Sequence, residues 1–477
     1  MAKLEKLEKD KYFSSTALDP MEERLKEISR STKPLKKDKK VILVVPPSPQ
    51  IPTPGREFLV SGPFEGFTYV ATLIKKMGYK LDVVDCRLKH DPQQAVLDAA
   101  QDADLIGMAS YCDSFIFLQD TTKALKELYP DKLILLGGPL VTSLPDVILG
   151  NTSADCAVIS EGELTIIEFL DRYLEAKSTA FEGIKGMAYK ENGRVRINPA
   201  RPQIKNLDNL PMLDYTVWPN YESIVKNGQI LISSTRGCPQ QCTFCFKTIP
   251  MLRMKSLERF EEEVIYLKKA TNFDYTWLND LTFNVIEDRA MKIARVLKKH
   301  GIRYHCFARV RNVSAELVGM LKETGCLGIW FGIESYEQDI LDYNRKNVQI
   351  DDIIGAVKIA EDGGLAVRGL FIIGLYGETE ESLQKMVAFI KKSKFLPLVK
   401  YLVPFPGTTL FRHALKTGKI NDPVEFLKML SRRKVKDYDD EIINLTSLSD
   451  DTLRHYFHQI WTITQEREKL FEEECPA

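Results

Sequence analysis

Cys238, Cys242 and Cys245 fall within one short run, residues 235–246, with the spacing C-x3-C-x2-C. Thiolates are soft metal ligands, so three of them this close together point to a metal centre. A structural zinc site takes four protein ligands, often as two separated pairs, and would need a distant fourth here. A [4Fe–4S] cluster takes one thiolate on each iron it anchors. Three thiolates then leave one iron open to a small molecule, an arrangement suited to chemistry rather than to stapling.

The other six cysteines, Cys86, Cys112, Cys156, Cys306, Cys326 and Cys475, are scattered, mostly in apolar surroundings. They read as small core residues rather than a disulfide framework, and a reducing cytoplasm is the simplest setting. The chain has 477 residues, enough for two or three domains. Its 66 Lys plus Arg balance 66 Asp plus Glu, which gives no support for a broad nucleic-acid footprint. The first residues carry charge and no apolar h-region, and no run reaches the roughly 18 apolar residues of a membrane span.

The elements that must position the cysteines follow from hydrophobic periodicity. Residues 1–38 are highly charged and read as a helical or loose N-terminal extension, a solvated arm rather than a binding one. Apolar, β-branched runs at 41–46, 80–85, 105–109, 133–136 and 156–160 alternate with helical patterns. That alternation predicts right-handed βαβ crossovers and a doubly wound, Rossmann-like parallel sheet over 39–180. Such sheets bind ligands at the carboxyl ends of their strands, where Gly137, Gly138, Glu161 and Gly162 fall. Residues 181–225 read as a connector containing a hairpin across Asn192-Gly193. A second series spans 226–430, with strands near 229–234, 275–278, 304–308, 327–331, 366–373 and 398–402. Six βα units suit a partial barrel, whose active site gathers at the carboxyl ends of its strands. The three cysteines, Asp280, Arg309, Glu334 and Gly374 all sit at or just past such ends. Residues 431–477 read as a charged helical segment.

The cysteine loop, with Phe244 before its last cysteine, resembles the cluster loop of radical S-adenosylmethionine (radical SAM) enzymes. Later segments resemble that family in the same order. Residues 277–284 resemble its DD-x-F-t segment, with Asn279 for one acid and Asp280 for the other. Arg309, in 308–311, resembles the arginine of its aRvd segment. Residues 332–335, with Glu334 and Ser335, resemble its GiES segment, and Tyr336 stands where a glycine is usual. Residues 374–379 resemble GlPGEt, with Tyr376 for proline, and 404–408 resemble P-x-PGT. The N-terminal domain is similar to the cobalamin-binding domain that precedes this core in one large subfamily, through 44–47, 78–85, 137–139 and 161–165. None of the six histidines lies in the D-x-H-x-x-G loop that ligates cobalt in other cobalamin folds.

The resemblance covers about residues 40 to 410. It implies a [4Fe–4S] cluster on Cys238, Cys242 and Cys245, with SAM on the open iron beside Asp280, Arg309, Glu334, Ser335 and Gly374. It implies cobalamin near Gly137, Gly138, Glu161 and Gly162. The implied activity is methylation of an unactivated carbon through a 5′-deoxyadenosyl radical and methylcobalamin. Cyclisation or rearrangement is the alternative outcome, and a methylthiotransferase-like enzyme or a non-catalytic cobalamin or iron–sulfur sensor stands lower. The implied partners are an electron donor such as flavodoxin or ferredoxin, and a peptide, lipid, tetrapyrrole or other natural-product substrate. Trp277, Trp330, Phe331 and Tyr336 are candidates to line a substrate cavity, with core burial the plainer expectation for Trp330 and a satisfied strand position for His305.

Overall fold

The computed structural model describes residues 19–31, 36–47, 62–433 and 442–474. Cys475 and most of the charged N-terminal run lie outside them. The described residues up to Gln229, with 248–253 and 422–433, form one compact unit, and 230–247, 254–421 and 442–474 form the other.

The first unit is built on a seven-stranded sheet. Its strands are Lys40–Val45 (β1), Lys80–Asp85 (β2), Leu105–Ala109 (β3), Ile134–Gly137 (β4), Cys156–Val158 (β5), Met187–Glu191 (β6) and Arg194–Ile197 (β7). The order is β2-β1-β3-β4-β5-β6-β7, with β1 to β5 parallel. All five residues of β3, and all but the first of β1, are buried, as expected where helices cover both faces. Helix Pro92–Ala100 shows how sequence sets a boundary here: Asp91 accepts from the amide of Gln94 at 3.0 Å, and Pro92 occupies the first helical position.

Two expectations change. The 186–197 hairpin, read as part of a connector, continues the sheet. Its β6 pairs antiparallel with β5, matching Ala157 to Ala188, and Ala188 joins the buried cluster around Ile106, Phe115 and Leu136. A three-residue β5 left unpaired would expose a sheet edge, and β6 covers it. The charged extension, in its described part, is a packed helix, Met21–Arg30, with Leu25, Ile28 and Glu22 buried. Glu22 accepts from the Lys205 amide at 2.9 Å, and Asp19 pairs with Arg201 at 3.1 Å. Asp19 and Glu22 are therefore spent inside the unit, while Glu23 and Glu27 face solvent.

The second unit carries six parallel strands in the order β15-β14-β13-β12-β11-β8. They are Leu231–Ile232 (β8), Tyr275–Leu278 (β11), Arg303–Ala308 (β12), Cys326–Glu334 (β13), Val367–Ile373 (β14) and Leu396–Tyr401 (β15). The two-residue strands Thr235–Arg236 (β9) and Arg253–Met254 (β10) flank the cysteine loop in sequence. A helix follows each main strand, so the expected partial (β/α)6 barrel is observed. Burial alternates along the strands: in β14, Val367, Gly369, Phe371 and Ile373 are buried while the residues between them are half-buried. The long helix Asp450–Glu474 covers the edge strand β15, stacking Phe457 on Tyr401 at 4.3 Å and donating from Thr464 to the Pro397 carbonyl at 2.7 Å.

Candidate functional site

The strand expected at 229–234 ends after two residues, and the reason lies in Asp280 at the end of β11. Its Oδ1 accepts from the amides of Ser234 and Thr235 at 2.7 and 2.8 Å, and its Oδ2 accepts from the Ser234 hydroxyl at 2.6 Å. These bonds turn the backbone out of the sheet and aim it into the cysteine loop. Burial pushes the Asp280 carboxyl up and the Ser234 and Thr235 bonds oppose that. Asp280, read from sequence as touching a cofactor, has both oxygens committed to shaping this turn. The strand alternation places Asn279 on the exposed side instead.

The loop is held from several sides. Lys247 Nζ donates to the carbonyls of Cys238 (3.0 Å) and Gln240. The Thr243 amide donates to the Asn344 carbonyl at 3.0 Å, and the Thr243 carbonyl accepts from Leu410 at 3.2 Å. The Phe246 ring stacks on Phe405 with centroids 5.5 Å apart. Cys238 and Cys242 are half-buried and Cys245 reaches the surface, with Cys238 Sγ 3.7 Å from the Thr282 hydroxyl. Although Cys245 is an exposed residue, the loop packed around its thiol strips enough water from it to push it up to about 11; the neighbouring Cys242 and Cys238 add to this, and Lys247 and Lys346 oppose it. Burial likewise raises the Cys242 thiol, while Lys346 and Arg309 pull it down. The thiols are thus near enough to feel one another and three cations, Lys247, Lys346 and Arg309. Among the described residues no three ligating side chains converge on a single ion. A cluster asks for something different, because each thiolate caps its own iron.

Around the loop, β13 is irregular: its register with β14 shifts between Gly332 and Glu334. Glu334 has φ +69°, and its carboxylate takes the Lys346 ammonium at 2.7 Å in a pair less than 12% exposed on either side. A Cβ at Gly332 would lie 2.6 Å from Glu334 Oε1 and 2.9 Å from Lys346 Nζ, so only glycine fits beside the pair. Ser335 is buried beside it. Arg309 donates to the carbonyls of Lys346 and Asn347 at 2.7 and 3.0 Å, and Asn284 fixes the Arg309 amide at 2.9 Å. Gly374 takes φ +92°, closed to other residues without strain, and its amide donates to Glu378 Oε2 at 2.6 Å. Sequence reading therefore found the ring of strand ends but missed Lys346, Asn344 and Lys247. The polar run Asn344-Arg-Lys-Asn347, directly after helix Gln338–Tyr343, was the available signal.

The half-buried faces of the strands carry an aromatic group. Trp277 stacks on His305 with planes 10° apart, and meets Trp330 edge-on at 4.8 Å. Phe307 packs against both tryptophans, and Arg368 lies over the Trp330 ring at 5.0 Å. His305 Nδ1 is 3.0 Å from the Tyr275 hydroxyl, the satisfied strand position expected, and burial lowers its pKa to about 4. Trp330 is only half-buried, with its Nε1 unpartnered. Phe331, on the opposite face, is fully buried core, and Tyr336 stacks on Phe389 at 4.0 Å rather than standing open.

In the first unit, the candidates divide. Glu161 is welded to Arg253 by two contacts of 2.8 Å and also accepts the Ile204 amide at 3.0 Å, so it holds backbone together and has no oxygen to spare for a corrin. Gly162 packs against Val70 and Val158. Gly138, with φ +104°, passes so close to Ser110 that a Cβ would sit 2.9 Å from its carbonyl. Gly137 differs: a Cβ there would meet nothing within 4 Å, leaving room for a planar group at the end of β4.

A flavodoxin-ordered sheet followed in sequence by a (β/α)6 partial barrel with three thiols at its carboxyl edge defines a two-domain α/β protein built around a thiolate centre. The B12 binding domain profile matches residues 61–170, and that of the radical SAM superfamily matches 232–390. An uncharacterized methyltransferase of Pyrococcus horikoshii is 31% identical over 79% of this chain and 83% of its own length. An anaerobic magnesium-protoporphyrin IX monomethyl ester cyclase of Rubrivivax gelatinosus is 25% identical over 69% of this chain and 62% of its own. Among solved structures, the radical SAM methyltransferase TsrM of Kitasatospora setae, with cobalamin and a [4Fe–4S] cluster bound, aligns with TM-score 0.64 at 16% identity, over 80% of this chain and 75% of its own. The chain belongs to the radical SAM enzymes that carry an N-terminal B12-binding domain.

Proposed function

We propose that the chain is a cobalamin-dependent radical SAM methyltransferase acting at an unactivated carbon, with Cys238, Cys242 and Cys245 as the cluster ligands. The observation that carries this reading is the three-thiol loop tied down at the carboxyl edge of the barrel by Asp280, Lys247, Asn344 and Leu410. When bound, the cluster and SAM supply the 5′-deoxyadenosyl radical that removes hydrogen from the substrate, and cobalamin supplies the methyl group. The protein's part is to position and shield. Burial holds the Cys242 thiol protonated, and Lys346 and Arg309 offset part of that while Glu334 adds to it. Glu334, Ser335 and Gly374, at the strand ends beside the loop, are the residues that would stand beside SAM. Gly137 leaves the space that a corrin ring fills. Trp277, Phe307, Trp330 and His305 would give the substrate a largely aromatic wall, whose strong ring C–H bonds suit a radical that takes hydrogen from weaker C–H bonds nearby.

The relatives support methylation first, since the P. horikoshii relative that matches most of this chain is named a methyltransferase. The cyclase relative keeps ring formation as the second reading. An electron donor such as a flavodoxin or ferredoxin, and a cytoplasmic setting, complete the proposal; no helix among the described residues is long and apolar enough to cross a membrane. Anaerobic reconstitution is expected to give about four irons per chain. Cys242→Ala is expected to lose SAM cleavage altogether. Formation of 5′-deoxyadenosine by that variant overturns the cluster assignment, and 5′-deoxyadenosine formed by the parent without a methylated product, in the presence of candidate substrates, favours cyclisation.

A further inference from the structure

The chain is evenly charged overall, yet two stretches hold no acid at all. No Asp or Glu falls between Glu222 and Glu258, which brackets the cysteine loop, or between Glu381 and Asp422, which holds eight lysines and arginines. The fold brings parts of the two stretches together. The second runs through β15 into helix Thr409–Lys416, whose start is bonded to the loop through Leu410 and Thr243 and packed on it through Phe405 and Phe246. On this side Cys245 is exposed, Arg412 is half-buried, and Lys416 and Lys419 are exposed and stand in no ion pair among the described residues.

Beside these cations lies an aromatic surface. Tyr343 and Tyr376 are 57% and 39% exposed, too much for core residues of their size. Their rings meet at 6.3 Å, Tyr376 meets His413 at 4.9 Å, and Asn344 ties them to the loop through the Tyr376 carbonyl at 3.0 Å. Helix Gln338–Tyr343 also carries two exposed acids, Asp339 and Asp342, the second hydrogen-bonded by Gln338 at 2.9 Å, so the basic side of the aromatic surface is the one formed by helix Thr409–Lys416 and Lys419. Exposed aromatics beside a group of cations are the makings of a transient, electrostatically steered interface.

We propose that Tyr343, Tyr376, His413, Arg412, Lys416 and Lys419 form the docking surface for an acidic one-electron donor protein, next to the exposed cysteine. Resting on the cluster reading above, the surface brings the donor's redox group to the side of the loop where Cys245 meets solvent. One electron leaves the reduced donor and enters the thiolate-held centre, and no bond is made or broken. Basic charge speeds the encounter, and the small contact lets the oxidised donor leave.

The test is binding of an oxidised, acidic flavodoxin to the protein, measured against ionic strength, so that no turnover is needed. Lys416→Glu with Lys419→Glu is expected to weaken binding about tenfold at low salt and to flatten its salt dependence. Lys391→Glu with Lys392→Glu is the control. It makes the same charge change in the same acid-free stretch, but at the far end of helix Glu380–Lys392, and is expected to leave binding unchanged. Equal weakening by both pairs, or by neither, overturns the docking surface. SAM cleavage driven by photoreduced deazaflavin, a small donor that needs no docking, is expected to be equal in all three proteins. Absence of that cleavage even in the unaltered protein breaks the cluster reading instead, and leaves the binding result to judge the surface.

Discussion

The two sheets treat their faces differently. In the first unit the central strands are buried on both sides, and β1 and β3 read as unbroken apolar runs. In the second, β12 and β14 alternate between buried and half-buried residues. Parallel sheets normally have both faces covered, so alternation in one marks a face kept for something other than core. The half-buried set includes Trp277, His305, Phe307, Trp330 and Arg368, which would be odd choices for a surface and costly ones for a core. The polar groups at the strand ends differ as well. Glu161 is locked by a bidentate arginine, whereas Asp280 and Arg309 are spent on backbone amides and carbonyls that shape loops. The first edge is braced by its ion pair, whereas the barrel edge adds to the Glu334–Lys346 pair a set of hydrogen bonds that fix the direction of the chain.

The largest test of that contrast is Glu161→Ala. It strands the buried Arg253 guanidinium and the Ile204 amide together, and removing one partner of a buried pair costs about 3–5 kcal/mol. Urea unfolding is expected to show a loss of that size. A cost below about 1 kcal/mol would place the pair among solvent-screened contacts and undo the distinction between the two edges.

A second comparison sits within the barrel, at adjacent residues of β13. Phe331 is fully buried, and Phe331→Ala is expected to cost about 3–5 kcal/mol. Trp330 is larger but half-buried, and Trp330→Ala is expected to cost about 2 kcal/mol less while lowering turnover more. Equal stability losses in denaturant melts would mean that both faces are core and that the aromatic group has no open side.

Much of this was legible in the sequence, and the residues show why. Strands 80–85, 105–109 and 275–278 and helix 92–100 fall where periodicity and capping put them, because each is decided by its own residues. The cysteine loop was legible from spacing alone. What the sequence concealed is decided at long range. The hairpin carries its own turn signal at Asn192-Gly193 but nothing that names β5 as its partner. Asp280 and Glu161 look like site residues because acids at strand ends often are. Only their partners, Ser234 and Arg253, 46 and 92 residues away, show that they hold backbone. Lys346 escaped notice for the same reason: a lysine is ordinarily a surface residue until a buried Glu334 is placed against it.

The effect that vanishes at low pH probes Glu378, the acid that receives the Gly374 amide in the glycine turn after β14. It is 2% exposed, and burial pushes its carboxyl up to about 8, with the Gly374 bond opposing. A carboxyl raised in the folded state holds its proton where the unfolded chain has lost it. Its stability contribution is therefore fully present below the unfolded value of 4.5, and is lost as pH rises through about 8. Glu378→Gln keeps an acceptor for the Gly374 amide and cannot ionise. It is expected to match the parent near pH 4.5 and to melt progressively higher than it toward pH 8. Parallel melting curves across that range would show that Glu378 does not hold its proton above its ordinary range, and that the turn beneath the site carries an ionised carboxylate.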